Sequence, residues 1–460
     1  MIKRLQNIKN NIVHTMPKYF RAPTGTFDFL PDDHDYFTFI KKVVRHRFRQ
    51  AGFRRISPPI FEEKETFARS LGENSEIVQR ELYIFSDRTK HIFSLRPEIT
   101  TGIVRAFIQN EMDQQALPVE LYYIEPCFRF ERPDQRTRRQ FWQLGAEILG
   151  ESDPSIDAQM IYLGHRILTD LQIRKDCELK ISTIGSPEDR EQFFEALANF
   201  YAGKERSLTP ESREKLEQKK YLELLEPRSE DEEILIQMAP KITDFLSPES
   251  KKFFDEVLEY LNSFGIEYQI DYSLVRPLDY YSNTVFEFRE KNTPNKVLVG
   301  GRYDNLIKKM GGNPHGAVGF AAGIDRLMHL MKFHGIEIPH KDYLQIFLAA
   351  TGPVAKKKAL PILVKLREHG FHAVGVLGKT SMQEQLKRAQ KFHVPYTLLI
   401  GDLEIKKNQI IVRDMKTGKQ KWIQQPNILD HMNKLLGIPK KLDISKDIVL
   451  DDTMDFLGHQ

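Results

Sequence analysis

Tyr122-Tyr-Ile-Glu-Pro-Cys-Phe-Arg-Phe-Glu-Arg132 and Phe141-Trp-Gln-Leu-Gly-Ala-Glu147 are two extended runs separated by a short polar loop. Side chains alternate along a strand, so the runs are expected to pair as an antiparallel hairpin with two unlike faces. On the first run Phe128 and Phe130 project to one side, Arg129 and Glu131 to the other. On the return run Trp142, Leu144 and Ala146 suit a core, while Phe141, Gln143 and Glu147 share the opposite face with Gly145 between them. A floor bearing Arg129, Glu131, Gln143 and Glu147, edged by Phe141, supplies a cation for phosphate, carboxylates for an amine and an aromatic plane for a base. The same alternation describes a sheet with one face in water, and the residues alone do not choose.

Outward from the hairpin, strands and helices come in groups. Tyr36–Gly52 has helical spacing, 53–62 is extended around Pro58-Pro59, Arg80–Leu95 suggests a hairpin, and a helix follows Pro97. Downstream come a helix over Asp157–Leu171 and a strand over Cys177–Ile184. Tyr268–Arg289 is again strand-like, and a helix covers Asp325–His334. Grouped elements argue for an α+β fold on an antiparallel sheet. The chain is expected to divide into a basic extension (1–16), a first catalytic part (17–186), a charged helical insertion (187–262) and a second catalytic part (263–338). Strand and helix then alternate over 343–437, which reads as a separate α/β domain before a tail (438–460) with five aspartates beyond Lys441.

Composition bounds the function. Of 460 residues, 40% are hydrophobic and 29% charged, which is globular. Two cysteines exclude a disulfide framework or a cysteine-based zinc cluster and suit a reducing compartment. No stretch approaches the ~20 apolar residues of a bilayer span, so no membrane role is expected. The net charge of +4 says little, but Arg132, Arg136, Arg138 and Arg139 crowd one loop and suit phosphate contacts. In Gly316-Ala-Val-Gly-Phe-Ala-Ala-Gly-Ile-Asp-Arg326, small residues allow close approach of a backbone or ligand, and Arg326 opens a helix whose N-terminus favours anions. Gly375-Val-Leu-Gly-Lys-Thr380 imitates a P-loop but has Ala373 where the first glycine is required.

These pieces, in this order, resemble the class II aminoacyl-tRNA synthetases, and most closely the histidyl-tRNA synthetases. Residues 54–62 with Pro59 resemble the first class motif, 128–147 the second and 319–326 the third. Leu95-Arg-Pro-Glu-Ile-Thr100, Leu274-Val-Arg-Pro-Leu-Asp-Tyr-Tyr281, Thr284-Val-Phe-Glu287 and Gly300-Gly-Arg-Tyr-Asp304 resemble segments of the histidine enzymes. The resemblance covers roughly 17–437, with the C-terminal domain similar to the family's anticodon-binding domain.

The resemblance implies a cytoplasmic homodimer that activates L-histidine with ATP and transfers it to histidine tRNA. It assigns catalysis to Arg276, Arg129 and Gln143, and histidine binding to Glu98, Ile99, Thr100, Gln143, Glu147, Tyr280, Tyr281 and Tyr303. ATP falls to Arg129, Glu131, Phe141 and Arg326, and the tRNA acceptor end to Arg132, Asp134 and Arg139. The only metal expected is Mg2+ carried by the nucleotide. The competing expectation is a non-catalytic, histidine-binding regulatory paralogue; such proteins lack the C-terminal domain.

Overall fold

A computed structural model describes residues 20–131, 138–274, 280–339, 344–375, 378 and 381–439. They form two compact units that divide between Ile338 and Pro339. Among the described residues, no helix is long and apolar enough to cross a membrane.

The first unit opens with α1 (Pro31–Gln50), β1 (Arg54–Arg55), β2 (Phe61–Glu63) and α2 (Lys64–Leu71). A π-turn at Ile77–Glu81 leads to β3 (Ile84–Ser86), β4 (Ile92–Leu95), α3 (Thr100–Gln109) and the long hairpin β5 (Val119–Phe128) and β6 (Gln140–Leu149). Then come α4 (Pro154–Asp170), β7 (Cys177–Thr183), α5 (Pro187–Tyr201), α6 (Pro210–Glu217), α7 (Glu230–Met238) and α8 (Pro248–Ser263). The unit closes with β8 (Gln269–Ile270), β9 (Ser282–Glu290), β10 (Lys296–Arg302), α9 (Leu306–Lys309), β11 (Ala317–Gly323) and α10 (Ile324–Phe333). Eight strands make one sheet in the order β1-β5-β6-β11-β10-β9-β7-β8. Its central pairs are antiparallel, and parallel pairing is confined to β1/β5 and β7/β8 at the edges. β2, β4 and β3 form a small separate sheet.

The fold is therefore α+β, and the hairpin register shows how its faces differ. Tyr122 pairs with Ala146 and Ile124 with Leu144, and these four side chains join the main apolar core with Phe286, Phe288, Leu298 and Phe320. The opposite face, reached through the pairs Tyr123↔Gly145 and Leu121↔Glu147, is no water-facing surface. A second core covers it, in which Phe67, Leu71, Ile103, Val104 and Phe107 of α2 and α3 pack with Leu121, Tyr123 and Leu149.

Two boundaries differ from the sequence reading. α1 begins at Pro31, not Tyr36, because a proline at the first helical position and Asp32 and Asp33 in the first turn favour an earlier start. The hairpin expected over Arg80–Leu95 is shorter, since Arg80 lies in the π-turn. The helical insertion expected over 187–262 packs a core of its own around Phe193, Leu197, Tyr201, Leu224 and Ile242, but that core does not extend to α8. Phe254, Val257 and Leu261 put α8 into the main core instead.

The second unit holds β12 (Ile346–Ala350), α11 (Pro353–Glu368), β13 (Ala373–Gly375), α12 (Met382–Lys391) and β14 (Tyr396–Ile400). α13 (Asp402–Lys406), β15 (Gln409–Asp414), β16 (Gln420–Gln424) and α14 (Ile428–Leu436) complete it. Its sheet runs β13-β12-β14-β15-β16, parallel through the first three and antiparallel beyond. The short α13 had no periodic signal in the sequence.

Candidate active site

The covered face of the large sheet carries a strip almost without side chains. Register places Gly145 beside Ala321, Glu147 beside Gly319 and Gln143 beside Gly323, with Gly319 next to Gly301. Each glycine makes room for a neighbour. A Cβ on Gly145 would meet the Tyr123 hydroxyl at 2.3 Å, one on Gly319 the Glu147 carboxylate at 1.5 Å, and one on Gly301 the Tyr281 ring at 2.9 Å. Bare backbone in strand interiors marks a place where another group approaches closely.

One end of the strip is acidic and closed. Glu147 accepts from the Thr100 hydroxyl at 2.7 Å and from the Tyr303 hydroxyl at 2.5 Å. Glu98 accepts from the Thr101 backbone N–H at 3.0 Å. All four of these side chains are buried, as are Tyr280 and Tyr281. The Tyr280 ring lies 4.8 Å from that of Tyr281 and 5.7 Å from that of Tyr303. Burial pushes the Glu147 carboxyl up to about 8 against the two hydroxyl bonds, with a further push from Glu98. Burial also raises Glu98, while Thr101 and Arg129 lower it. Two buried carboxyls so placed favour a ligand with several N–H donors or a positive charge.

The other end is half-open, cationic and aromatic. Arg129 continues the floor face just past β5, where its backbone N–H donates to the Arg139 carbonyl. Its Nε donates to the Pro97 carbonyl at 2.9 Å, its guanidinium lies 5.6 Å from the Phe141 ring centre, and Glu131 sits 3.8 Å away. Cys127 donates its thiol to Gln143 Oε1 at 3.6 Å, and burial pushes that thiol up to about 12. Across the floor, Asp325 at the start of α10 accepts from the Trp142 backbone N–H at 2.9 Å and pairs with Arg138. The Arg326 guanidinium donates to the Lys296 carbonyl. At ~3.3 Å per residue, the step along β6 from Phe141 to Glu147 spans about 20 Å. A long ligand with a cationic head and an anionic, aromatic tail fits that polarity.

The structure thus brings Glu98, Thr100, Glu147, Tyr280, Tyr281 and Tyr303 to one end, and Arg129, Glu131, Phe141 and Gln143 to the other. Ile99, expected at the histidine site, packs its side chain in the apolar core with Ile103. Arg139 stacks 4.2 Å over the Phe130 ring and donates to the Glu131 carbonyl at 3.2 Å. Arg132, Asp134, Arg136 and Arg276 lie outside the described residues. So does most of the P-loop look-alike, which follows directly on β13. Among the described residues no cluster of three His, Cys, Asp or Glu side chains is placed to hold a metal ion.

The sequence reading missed Tyr123. Its ring lies over Gly145 in the acidic end, it is fully buried, and its hydroxyl has no hydrogen-bond partner among the described residues. Burial, with Glu147, Cys127 and Glu98 close by, pushes the phenol well up, so it stays a neutral hydroxyl. Parity in the hairpin was the available signal, since Tyr123 faces the same side as Gln143 and Glu147.

The sequence model described as histidyl-tRNA synthetase matches residues 25–327, well over half of the chain. The chain belongs to the histidyl-tRNA synthetase family. The anticodon binding domain model matches residues 345–435. The histidine–tRNA ligase of Halothermothrix orenii is 37% identical over 419 residues, covering 90% of this chain and 99% of that protein. The chloroplastic histidine–tRNA ligase of Porphyra purpurea is 36% identical, covering 93% and 98%. The solved apo histidyl-tRNA synthetase of S. aureus is 30% identical with a TM-score of 0.72, covering 90% of this chain and 99% of that one.

Proposed function

We propose that this chain is a histidine–tRNA ligase. The histidine carboxylate oxygen attacks the α-phosphorus of ATP, the bond to pyrophosphate breaks, and histidyl-adenylate forms. The 3′-hydroxyl of the terminal adenosine of histidine tRNA then attacks the acyl carbon and AMP leaves. The observation that carries this reading is the buried pair Glu98 and Glu147 closing one end of a glycine floor whose other end is Arg129 and Phe141.

In this reading Glu98, Thr100 and Gln143 hold the histidine amino end, and Glu147, Tyr280, Tyr281 and Tyr303 enclose the imidazole. Tyr123 adds a hydroxyl to the same enclosure. A side chain lacking ring N–H groups leaves these buried atoms unpaired, at about 1–3 kcal/mol each. Phe141 stacks on adenine, with Glu131 near the nucleotide. Arg129, Arg276 and Arg326 reduce the repulsion between carboxylate and polyphosphate and stabilise the charge of the transition state. Holding oxygen and phosphorus in line supplies much of the rate. Glu131 is an oxygen donor that would hold a magnesium ion carried by the nucleotide, and that ion would neutralise part of the phosphate charge.

We assign Arg139, Arg132 and Asp134 to the tRNA acceptor end, and reading of the anticodon to the C-terminal unit. Its anticodon-domain match favours the ligase over a regulatory paralogue that lacks such a domain. We place the enzyme in the cytoplasm, in keeping with two free, buried cysteines. We assign a homodimer through the first class motif, supported by exposed Phe61, Ile84, Phe85 and Ile92 on the small sheet that the motif enters. Histidine-dependent ATP–pyrophosphate exchange tests the activity: the reading expects exchange with histidine and none with other amino acids. Absence of exchange with histidine refutes it.

A further inference from the structure

Within the C-terminal unit, α11 has an outer face that no other described element of that unit covers. Val354, Leu360 and Val364 are 53%, 51% and 44% exposed. Its inner face is fully used: Ala355, Ala359, Ile362, Leu363 and Leu366 pack into the unit's core. Exposed Lys357, Lys358 and Lys365 lie among Val354, Leu360 and Val364 on the same outer face. With Lys356 and Arg367 against Glu368 alone, the helix carries a net charge of +4. Three of those lysines sit near its N-terminus, where no acid stands in the first turn and no side chain caps the helix. Cations there oppose the helix dipole, so a carboxylate brought to this face is doubly favoured.

We propose that the C-terminal tail, residues 440–460, docks along this face of α11. The tail lies outside the described residues, but its chemistry and starting point are fixed. Residues 440–460 carry Asp443, Asp447, Asp451, Asp452 and Asp455 against Lys440, Lys441 and Lys446, a net charge of −2 opposite the +4 of the helix. Ile448, Leu450, Met454 and Phe456, interspersed among those acids, suit a face on which apolar residues and lysines are intermixed.

The tail also begins close by. Asn433, in the last turns of α14, is hydrogen-bonded at 3.1 Å to His369, which caps the C-terminal end of α11. Only five residues separate Asn433 from Pro439. The 16 residues of α11 span about 24 Å, and 21 tail residues reach about 70 Å when extended and about 30 Å as a helix. The tail can therefore run from the C-terminal end of α11 to its lysine-bearing N-terminus. The other segment outside the described residues at a chain end, 1–19, is basic and would be repelled. RNA would meet the lysines but gain nothing from Val354, Leu360 and Val364, which a peptide buries.

Hydrogen exchange of the full chain, read by mass spectrometry, tests the docking. The expectation is that amides within 440–460 exchange at least tenfold more slowly than in a free peptide of that sequence. Lys357→Glu, Lys358→Glu and Lys365→Glu together should return them to the free rate. These side chains are exposed, so the fold should be retained, with far-UV circular dichroism unchanged. A tail that exchanges at the free-peptide rate in the unaltered chain overturns the proposal. So does protection that survives the charge reversal, which puts the tail elsewhere, or protection lost on dilution, which makes the occupant a second copy. If the tail exchanges freely while the reversal weakens tRNA binding, the face belongs to RNA and the proposal is wrong.

Discussion

Glu147→Gln separates the two consequences of burying a carboxyl in the acidic end of the site. In the folded protein the Glu147 carboxyl lies near 8 rather than the ordinary 4.5, chiefly through burial. A group whose folded value is raised contributes fully below its unfolded value and loses that contribution as pH rises toward the folded one. Between pH 4.5 and about 8 the unfolded chain ionises while the folded chain holds its proton, so stability falls. A shift of about 3.5 units at 1.36 kcal/mol per unit bounds the loss at about 4–5 kcal/mol. The Thr100 and Tyr303 hydroxyls, which both donate to the ionised form, resist it. Glutamine cannot ionise, so the variant should be more stable than the parent at pH 8, by about 2–4 kcal/mol, and nearly equal to it at pH 4.5. The assay is urea unfolding followed by Trp142 fluorescence, with Trp422→Phe in both proteins so that only the first unit reports. At the same time, pyrophosphate exchange should fall at least a hundredfold, because the amide cannot ionise on histidine binding to become the carboxylate that accepts from the imidazole N–H. A variant less stable than the parent at pH 8, or a parent whose stability is flat between pH 5 and 8, refutes the burial argument.

Other outcomes follow from single contacts. Tyr123→Phe removes a buried hydroxyl without a partner, so stability should hold or rise by up to ~1 kcal/mol while the KM for histidine rises about tenfold or more; a destabilised variant with unchanged KM contradicts this. Gly319→Ala places a Cβ 1.5 Å from the Glu147 carboxylate, so exchange activity should fall more than a hundredfold, and near-normal activity would show that Glu147 can move aside. Arg302 is fully buried with Asp157, which it meets at 2.9 and 3.2 Å, and Asp157→Asn should cost about 3 kcal/mol in urea unfolding; a loss under 1 kcal/mol would mean that Asp304 suffices alone.

What the sequence makes legible follows from the range over which each signal acts. The alternation in 122–132 and 141–147 acts between neighbours, and it sorts Trp142, Leu144 and Ala146 to the core and Gln143 and Glu147 to the opposite face as the register shows. The burial of Glu147 was not legible. Its partners Thr100 and Tyr303 lie 47 and 156 residues away, and nothing in the hairpin says that α3 and Tyr303 will cover it. The stripe Phe254, Val257 and Leu261 announces an amphipathic helix but not which core receives it. Tyr123 reads as one more aromatic in a strand until the glycine opposite it is seen to make room for its hydroxyl.

The central claim is that histidine and ATP lie head to tail along one glycine floor. A crystal structure with a non-hydrolysable histidyl-adenylate analogue tests it most directly. The account predicts imidazole nitrogens within hydrogen-bonding distance of Glu147, adenine stacked on Phe141, and the phosphate replacement contacted by Arg129 and Arg276. An analogue bound away from that floor, or bound there in the reverse direction, contradicts it.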